Sequence, residues 1–275
     1  MKYTLNCNGR LLSLDKPQVM GIMNVTPDSF YADSRQQSAH AIAHRTEEIL
    51  SQGGSIIDIG ACSTRPGSEP VGEQDELQRL REALSIVRHE APQAIVSVDT
   101  FRPAIARMAV EEYGADIIND VAGTTEMQRM VSRLGVPYIY MSNKATMREV
   151  LLDCAETVDR LRSWGQKDIV LDPGFGFGKT LTQNYEVLNE LERMQMTGLP
   201  VLVGVSRKSM IYRLLKTSPQ EALNGTTVLH ALALMKGASI LRVHDVREAV
   251  ECVEIVAATE SQHAVKRDDE TRART

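Results

Sequence analysis

Side chains able to do chemistry recur at one kind of place in this 275-residue chain, just after a short apolar run. In chain order these places hold Asn24 with Thr26-Pro27-Asp28-Ser29, then Ser63-Thr64-Arg65-Pro66-Gly67, Asp99, and Asn119-Asp120. Tyr140-Met141-Ser142 follows, then Asp172 with the glycine-rich stretch to Lys179, then Ser206-Arg207-Lys208-Ser209, and last Arg242-Val243-His244-Asp245. Two chemistries separate within the set. Asp99, Asn119, Asp172 and Lys208 suit a planar heterocycle rich in donors and acceptors. A carboxylate accepts two parallel hydrogen bonds from an amino group and a neighbouring ring N–H, and an ammonium donates to a ring carbonyl or nitrogen. Asn24, Thr64, Arg65, Arg207, Arg242 and His244 suit an anion, because arginine forks match phosphate oxygens. Ser206 is expected to open a helix whose first N–H groups add to that anion site. Plain structural uses stand beside these readings. Asp99 could cap a helix starting near Pro103, and Lys208 could be a solvated surface charge.

Elements must bring these groups together. The apolar, β-branched runs are 19–25, 55–61, 94–100, 116–121, 136–142, 168–174, 200–206 and 239–245. Their nearly continuous hydrophobicity predicts strands buried on both faces, as in a parallel sheet covered by helices. Between them, 39–52, 73–89, 226–236 and 246–257 carry helical periodicity. Gly114, Gly135 and Gly237 are placed to end helices. Strand–helix alternation of this extent predicts an α/β fold, a closed (β/α)8 TIM barrel with an N-terminal β-hairpin. Asn8-Gly9 between two short alternating runs is the hairpin signal, and the hairpin can plug one mouth of the barrel. In such barrels the strands' C-terminal ends gather the active site. The expected organisation is a hairpin at 1–14, a barrel at 15–260 and a charged, disordered tail at 261–275.

Composition narrows the classes. The formal net charge of −5 argues against nucleic acid as a partner. No apolar run reaches the length of a membrane span, and the N-terminus lacks a signal-peptide segment. Cys7, Cys62, Cys154 and Cys252 show no metal spacing and read as structural thiols of a reducing compartment, so a soluble cytoplasmic protein is expected. No G-x-G-x-x-G follows the first barrel strand, which leaves a dinucleotide site little support.

The motifs N-V-T-P-D-S at 24–29, S-T-R-P-G at 63–67, V-D-T at 98–100, I-N-D at 118–120, D-P-G-F-G-F-G-K at 172–179, S-R-K-S at 206–209 and R-V-H-D at 242–245 together resemble the dihydropteroate synthase family of folate biosynthesis. The resemblance runs from about residue 17 to 257 and rests on the order of the motifs rather than on any one of them. It implies a transferase that condenses (7,8-dihydropterin-6-yl)methyl diphosphate with para-aminobenzoate, releasing pyrophosphate with the help of Mg²⁺. It also implies sulfonamides as inhibitors and a homodimer formed through outer helices such as 226–236.

By position, the resemblance assigns Asp99, Asn119, Asp172 and Lys208 to the pterin and Asn24 to magnesium. Thr64 goes to the pterin diphosphate, and Arg65, Arg242 and His244 to the pyrophosphate. Phe177, Arg207 and the loop at Pro66 lie on the aminobenzoate side, with Arg207 or the helix start at Ser209 taking its carboxylate. The chain departs from the family pattern at Tyr31–Ser34, at Cys62 where Glu is frequent, and at Tyr140-Met141-Ser142-Asn143 where H-M-Q-G is common. Rival readings are a methyltetrahydrofolate-dependent methyltransferase barrel and a non-catalytic pterin- or phosphate-binding barrel. The first has no use for S-T-R-P-G, S-R-K-S and R-V-H-D together, since its substrate carries no pyrophosphate.

Overall fold

The computed structural model describes residues 3–25, 35–62 and 71–272, with only the backbone described for 35–38 and 260–272. A hairpin comes first, β1 (Thr4–Cys7) paired antiparallel with β2 (Arg10–Ser13). Asn8 and Gly9 turn it with φ of 52° and 88°. That double positive φ belongs to the tight turn whose twist matches its strands, which is why Asn-Gly sits there.

The barrel strands are β3 (Gln18–Asn24), β4 (Ile56–Gly60), β5 (Ile95–Asp99), β6 (Ile117–Asp120), β7 (Tyr138–Met141), β8 (Ile169–Asp172), β9 (Leu202–Val203) and β10 (Ile240–Val243). All ladders between them are parallel, in the order β8-β7-β6-β5-β4-β3-β10-β9. A bridge between Leu171 and Val201 joins the two ends of that sheet. Around the strands lie α1 (Arg35–Ser51), α2 (Glu73–Glu90), α3 (Pro103–Tyr113), α4 (Thr125–Leu134), α5 (Met147–Ser163), α6 (Leu181–Asn189), α7 (Ser209–Leu215), α8 (Leu223–Met235) and α9 (Val246–Arg272). Gly114 and Gly135 end α3 and α4 in the left-handed conformation, as their positions predict.

Side chains alternate across a strand, so residues two apart share a face. Ile56, Ile117, Val170 and Ile240 point into the barrel and form its apolar floor with Met20, Ile139 and Leu202. Leu5, Cys7, Leu12 and Leu14 of the hairpin seal that floor from below. Arg10 and Arg88 both pair with the buried Asp116, which fastens the hairpin to the barrel. One step of two up each strand replaces Ile56 by Asp58, Ile117 by Asn119, Val170 by Asp172 and Ile240 by Arg242. The same parity that buries the floor therefore stacks the polar groups directly above it. The intervening residues, such as Ile57, Ile59, Ile118 and Leu171, face outward into the layer packed under the helices.

Three features differ from the sequence reading. The seventh strand carries only Leu202–Val203 in regular pairing and is followed by two helices. Helix α7 opens at Ser209 with Lys208 at its N-cap, so Ser206 lies in the turn before it and does not start a helix. Helix α9 continues to Arg272 through much of the stretch expected to be a disordered tail. Ala264, Lys266, Arg267, Glu270 and Arg272 are strong helix formers in that stretch.

Candidate active site

Asp58 lies at the centre of the polar layer. Its side chain is 0% exposed, and its Oδ2 accepts from Arg242 Nε at 2.6 Å and from Asn119 Nδ2 at 3.1 Å. Arg242 Nη2 donates to Asp99 Oδ2, also at 2.6 Å. One guanidinium thus bridges two carboxylates from β4 and β5, and the carboxylates hold it firmly protonated. Burial pushes the Asp99 carboxyl up to about 7, with Arg242 pulling it down and Asp58 adding to the push. Asp99 does not cap α3, whose N-cap is Arg102 with no side-chain hydrogen bond.

The sequence reading missed Asp58. Its signal is there in I-I-D-I-G, a charged residue inside an apolar strand at the parity of Ile56. The reading also divided the pocket into a pterin half and an anion half. Arg242, assigned to the anion, is in direct contact with Asp99, assigned to the heterocycle, so the two halves share a member.

Asp172 sits across the layer on β8. Its Oδ1 accepts from Gly174 N at 2.7 Å, and burial raises its carboxyl while Lys208 opposes the rise. Lys208 Nζ donates to the Phe175 carbonyl and lies 4.7 Å from the centre of the Phe177 ring. Burial lowers its ammonium to about 8, with Asp172 holding it up. This lysine is a pocket group and not a solvated surface charge. Gly204, one step above the floor residue Leu202, keeps the space open. A Cβ there would stand 3.8 Å from Lys208 Nζ and 3.9 Å from Arg242 Cβ.

The loop after β8 is folded tightly against the end of β7. Gly174 has φ 72°, and a Cβ on it would fall 2.1 Å from the Ser142 carbonyl oxygen. Lys179 Nζ donates to the carbonyls of Gly174 at 3.0 Å and Phe177 at 3.3 Å, which ties the loop back on itself. At the end of β7, where the family pattern is altered, Tyr140 and Ser142 both donate to Asp153 of α5, at 2.8 and 2.6 Å. Asp120 does not join the pocket. It accepts from Tyr138 Oη at 2.6 Å and from the N–H groups of Ala122 and Gly123.

The last two strands carry the remaining groups. His244 Nδ1 lies 3.0 Å from Ser206 Oγ, which also accepts from the His244 N–H at 3.1 Å. Arg207 turns away from this pair. It grips Asp245 with Nε and Nη2 at 2.9 and 2.8 Å, and its Nη1 donates to the Pro219 and Gln220 carbonyls. Its backbone is left-handed, with φ 54°. Arg207 is therefore the brace of the turn that carries Lys208, rather than an arm reaching for an anion. Ser209 begins α7, half-buried. Asn24 ends β3, exposed, in register with Gly60. Thr64, Arg65 and Pro66, and the loop residues 26–34, lie outside the described residues.

Residues 20–244 match the family described as pterin binding enzyme. Dihydropteroate synthase of Escherichia coli K12 is 38% identical over 280 aligned positions, covering 96% of this chain and 99% of that one. The Bacillus subtilis dihydropteroate synthase is 38% identical, covering 89% of each chain. Among solved structures, Xanthomonas albilineans dihydropteroate synthase with 4-aminobenzoic acid superposes with a TM-score of 0.87 at 34% identity, over 94% of this chain and 99% of that one. The Coxiella burnetii dihydropteroate synthase in complex with pteroic acid gives a TM-score of 0.84 at 35% identity, over 94% and 99%.

Proposed function

The chain belongs to the pterin-binding enzymes, within the dihydropteroate synthase family, and from that premise we propose how its residues join (7,8-dihydropterin-6-yl)methyl diphosphate to para-aminobenzoate. The carrying observation is the buried polar layer on an apolar floor. Asp172, Asn119 and Lys208 offer acceptors and a donor to one flat ring, and Arg242 and His244 stand on the neighbouring strand end. The aminopyrimidine edge of the pterin donates to Asp172, and Lys208 donates to a ring acceptor. Asp99 and Asp58 fix Arg242 in place. In the reaction the bond from the exocyclic methylene carbon to the diphosphate oxygen breaks, with its electron pair leaving on pyrophosphate. The aniline nitrogen forms the new C–N bond and loses a proton to solvent. The pterin ring stabilises positive charge at that carbon, so the protein's task is positioning and electrostatics, with no nucleophilic side chain.

Arg65, Arg242 and His244 receive the diphosphate, with Thr64 beside them. Aminobenzoate packs on Phe177 and the loop at Pro66, its carboxylate at the N–H of Ser209. Arg207 acts by bracing the turn. The residues fit Mg²⁺ held by few protein atoms. Asn24 presents a hard amide oxygen at an exposed strand end, and Mg²⁺ bound to a diphosphate commonly takes one or two protein ligands. When bound it neutralises charge on the leaving group. A homodimer through α8 is part of this reading, since Val228, Leu232 and Met235 of that helix are exposed. So is a cytoplasmic setting, which accords with relatives that are dihydropteroate synthases; among the described residues no helix is long and apolar enough to cross a membrane.

The test is pyrophosphate release from the pterin diphosphate. Release that requires para-aminobenzoate and yields dihydropteroate is expected. Release without aminobenzoate, or none with both substrates, overturns the reading.

A further inference from the structure

Ser206 is 4% exposed, and among the described residues both hydrogen bonds of its hydroxyl oxygen go to one residue, His244. The backbone N–H of His244 donates to Oγ, which uses one lone pair. The hydroxyl proton then needs an acceptor, because a buried donor left unpaired is costly. Nδ1 of His244, at 3.0 Å, is the acceptor at hand. The histidine is also held from its other side. Arg45 of α1 donates from Nη2 to the His244 carbonyl at 2.7 Å and to the Ile22 carbonyl at 3.2 Å. Its Nη1 rests on Glu48 at 2.8 Å. Main chain and ring of His244 are thus fixed by two different elements.

We propose that Ser206 is a positioning residue that sets the tautomer of His244, donating to Nδ1 so that the ring proton resides on Nε2. The inference rests on the reading that this site holds a diphosphate, and it says how the histidine does so. Which nitrogen of a neutral imidazole carries the proton is decided by the hydrogen bond made at the other one. With Nδ1 occupied by a donor, Nε2–H becomes a fixed donor toward phosphate oxygen. It assists the departure of pyrophosphate by accepting no proton and giving none up. Without Ser206 the donor that selects this tautomer at Nδ1 is lost, and the share of rings protonated at Nε2 falls.

Nitrogen-15 spectra of histidine-labelled protein, recorded at a pH where the ring is neutral and assigned by loss of the signal in His244→Ala, read the tautomer directly. The expected wild-type pattern is a lone-pair Nδ1 and a protonated Nε2 for His244. A protonated Nδ1 overturns the proposal without reference to any variant or to turnover. Ser206→Ala is expected to mix the two tautomers and to weaken Mg²⁺-pyrophosphate binding about tenfold in calorimetry, leaving the affinity for a pterin without phosphates unchanged. Ser206→Thr, which keeps the hydroxyl, should restore both readouts. In the His244→Ala background Ser206→Ala should add nothing, and a full additional loss there also overturns the role. Failure of aminobenzoate-dependent pyrophosphate release in the wild type would count against the enzyme reading alone, because the tautomer is read without substrate.

Discussion

A carboxylate walled off from water, accepting one backbone N–H, is ready for a ligand that brings its own donors. Asp172 is in that position, and Asp172→Asn replaces one of its acceptor oxygens by a donor facing donors. Pterin affinity should fall by about 1.5–3 kcal/mol, the range for a hydrogen bond to a charged group. Calorimetry with a phosphate-free pterin checks it, and unchanged affinity removes Asp172 from the pterin edge. Lys208 gives a second prediction. Its ammonium is lowered to about 8, and the proposed contact needs the charged form. A bound ring acceptor holds the proton on more tightly, so pterin affinity should be highest below about 8 and decline as pH rises through that value. Lys208→Gln should bind more weakly and show no such decline. At this scale the sequence exposed the groups at strand ends and hid those inside strands. Asp99, Asn119 and Asp172 stand next to turn residues, whereas Asp58 is flanked by isoleucines and reads as an accident until the barrel's parity places it under Arg242. Arg207 misled in the opposite direction, because its partners Asp245, Pro219 and Gln220 are not its neighbours in the chain.

The elements were legible to the extent that their signals are local. Each barrel strand is an apolar run with helical periodicity after it, and Asn8-Gly9 turns the hairpin where the dipeptide stands. The start of α7 was not legible. Serine favours an N-cap, but Ser206 bonds to His244 from a distant strand, and the helix waits until Ser209. Gly174 links element to site. Alanine there would adopt a left-handed backbone with its Cβ against the Ser142 carbonyl. Gly174→Ala should shift the loop after β8, move the N–H that Asp172 accepts, and abolish measurable pterin binding while the fold persists by circular dichroism. The hairpin predicts the reverse. Leu5 is completely buried in the apolar floor, so Leu5→Ala should cost roughly 2–5 kcal/mol of stability in urea unfolding and leave pterin affinity intact.

Across the whole molecule, among the described residues, α8 and α9 expose four large apolar side chains, Val228, Leu232, Met235 and Ile255, while others such as Leu11 and Met196 are exposed elsewhere. If these helices join two copies, Leu232→Glu together with Met235→Glu should yield a monomer by sedimentation with the barrel intact. A monomeric wild type sinks the dimer. The hairpin has a further meaning at this scale. By stoppering one end of the barrel with Leu5, Cys7, Leu12 and Leu14 it turns a tube into a flask. The polar layer then lies on the side of the floor away from the hairpin, toward the strands' C-terminal ends. The ring proposed to lie deepest is therefore expected to bind first. An aminobenzoate that arrived early would stand in the doorway, and finished dihydropteroate must clear the neck before the next pterin can pass. Such a vessel processes its substrates as a queue.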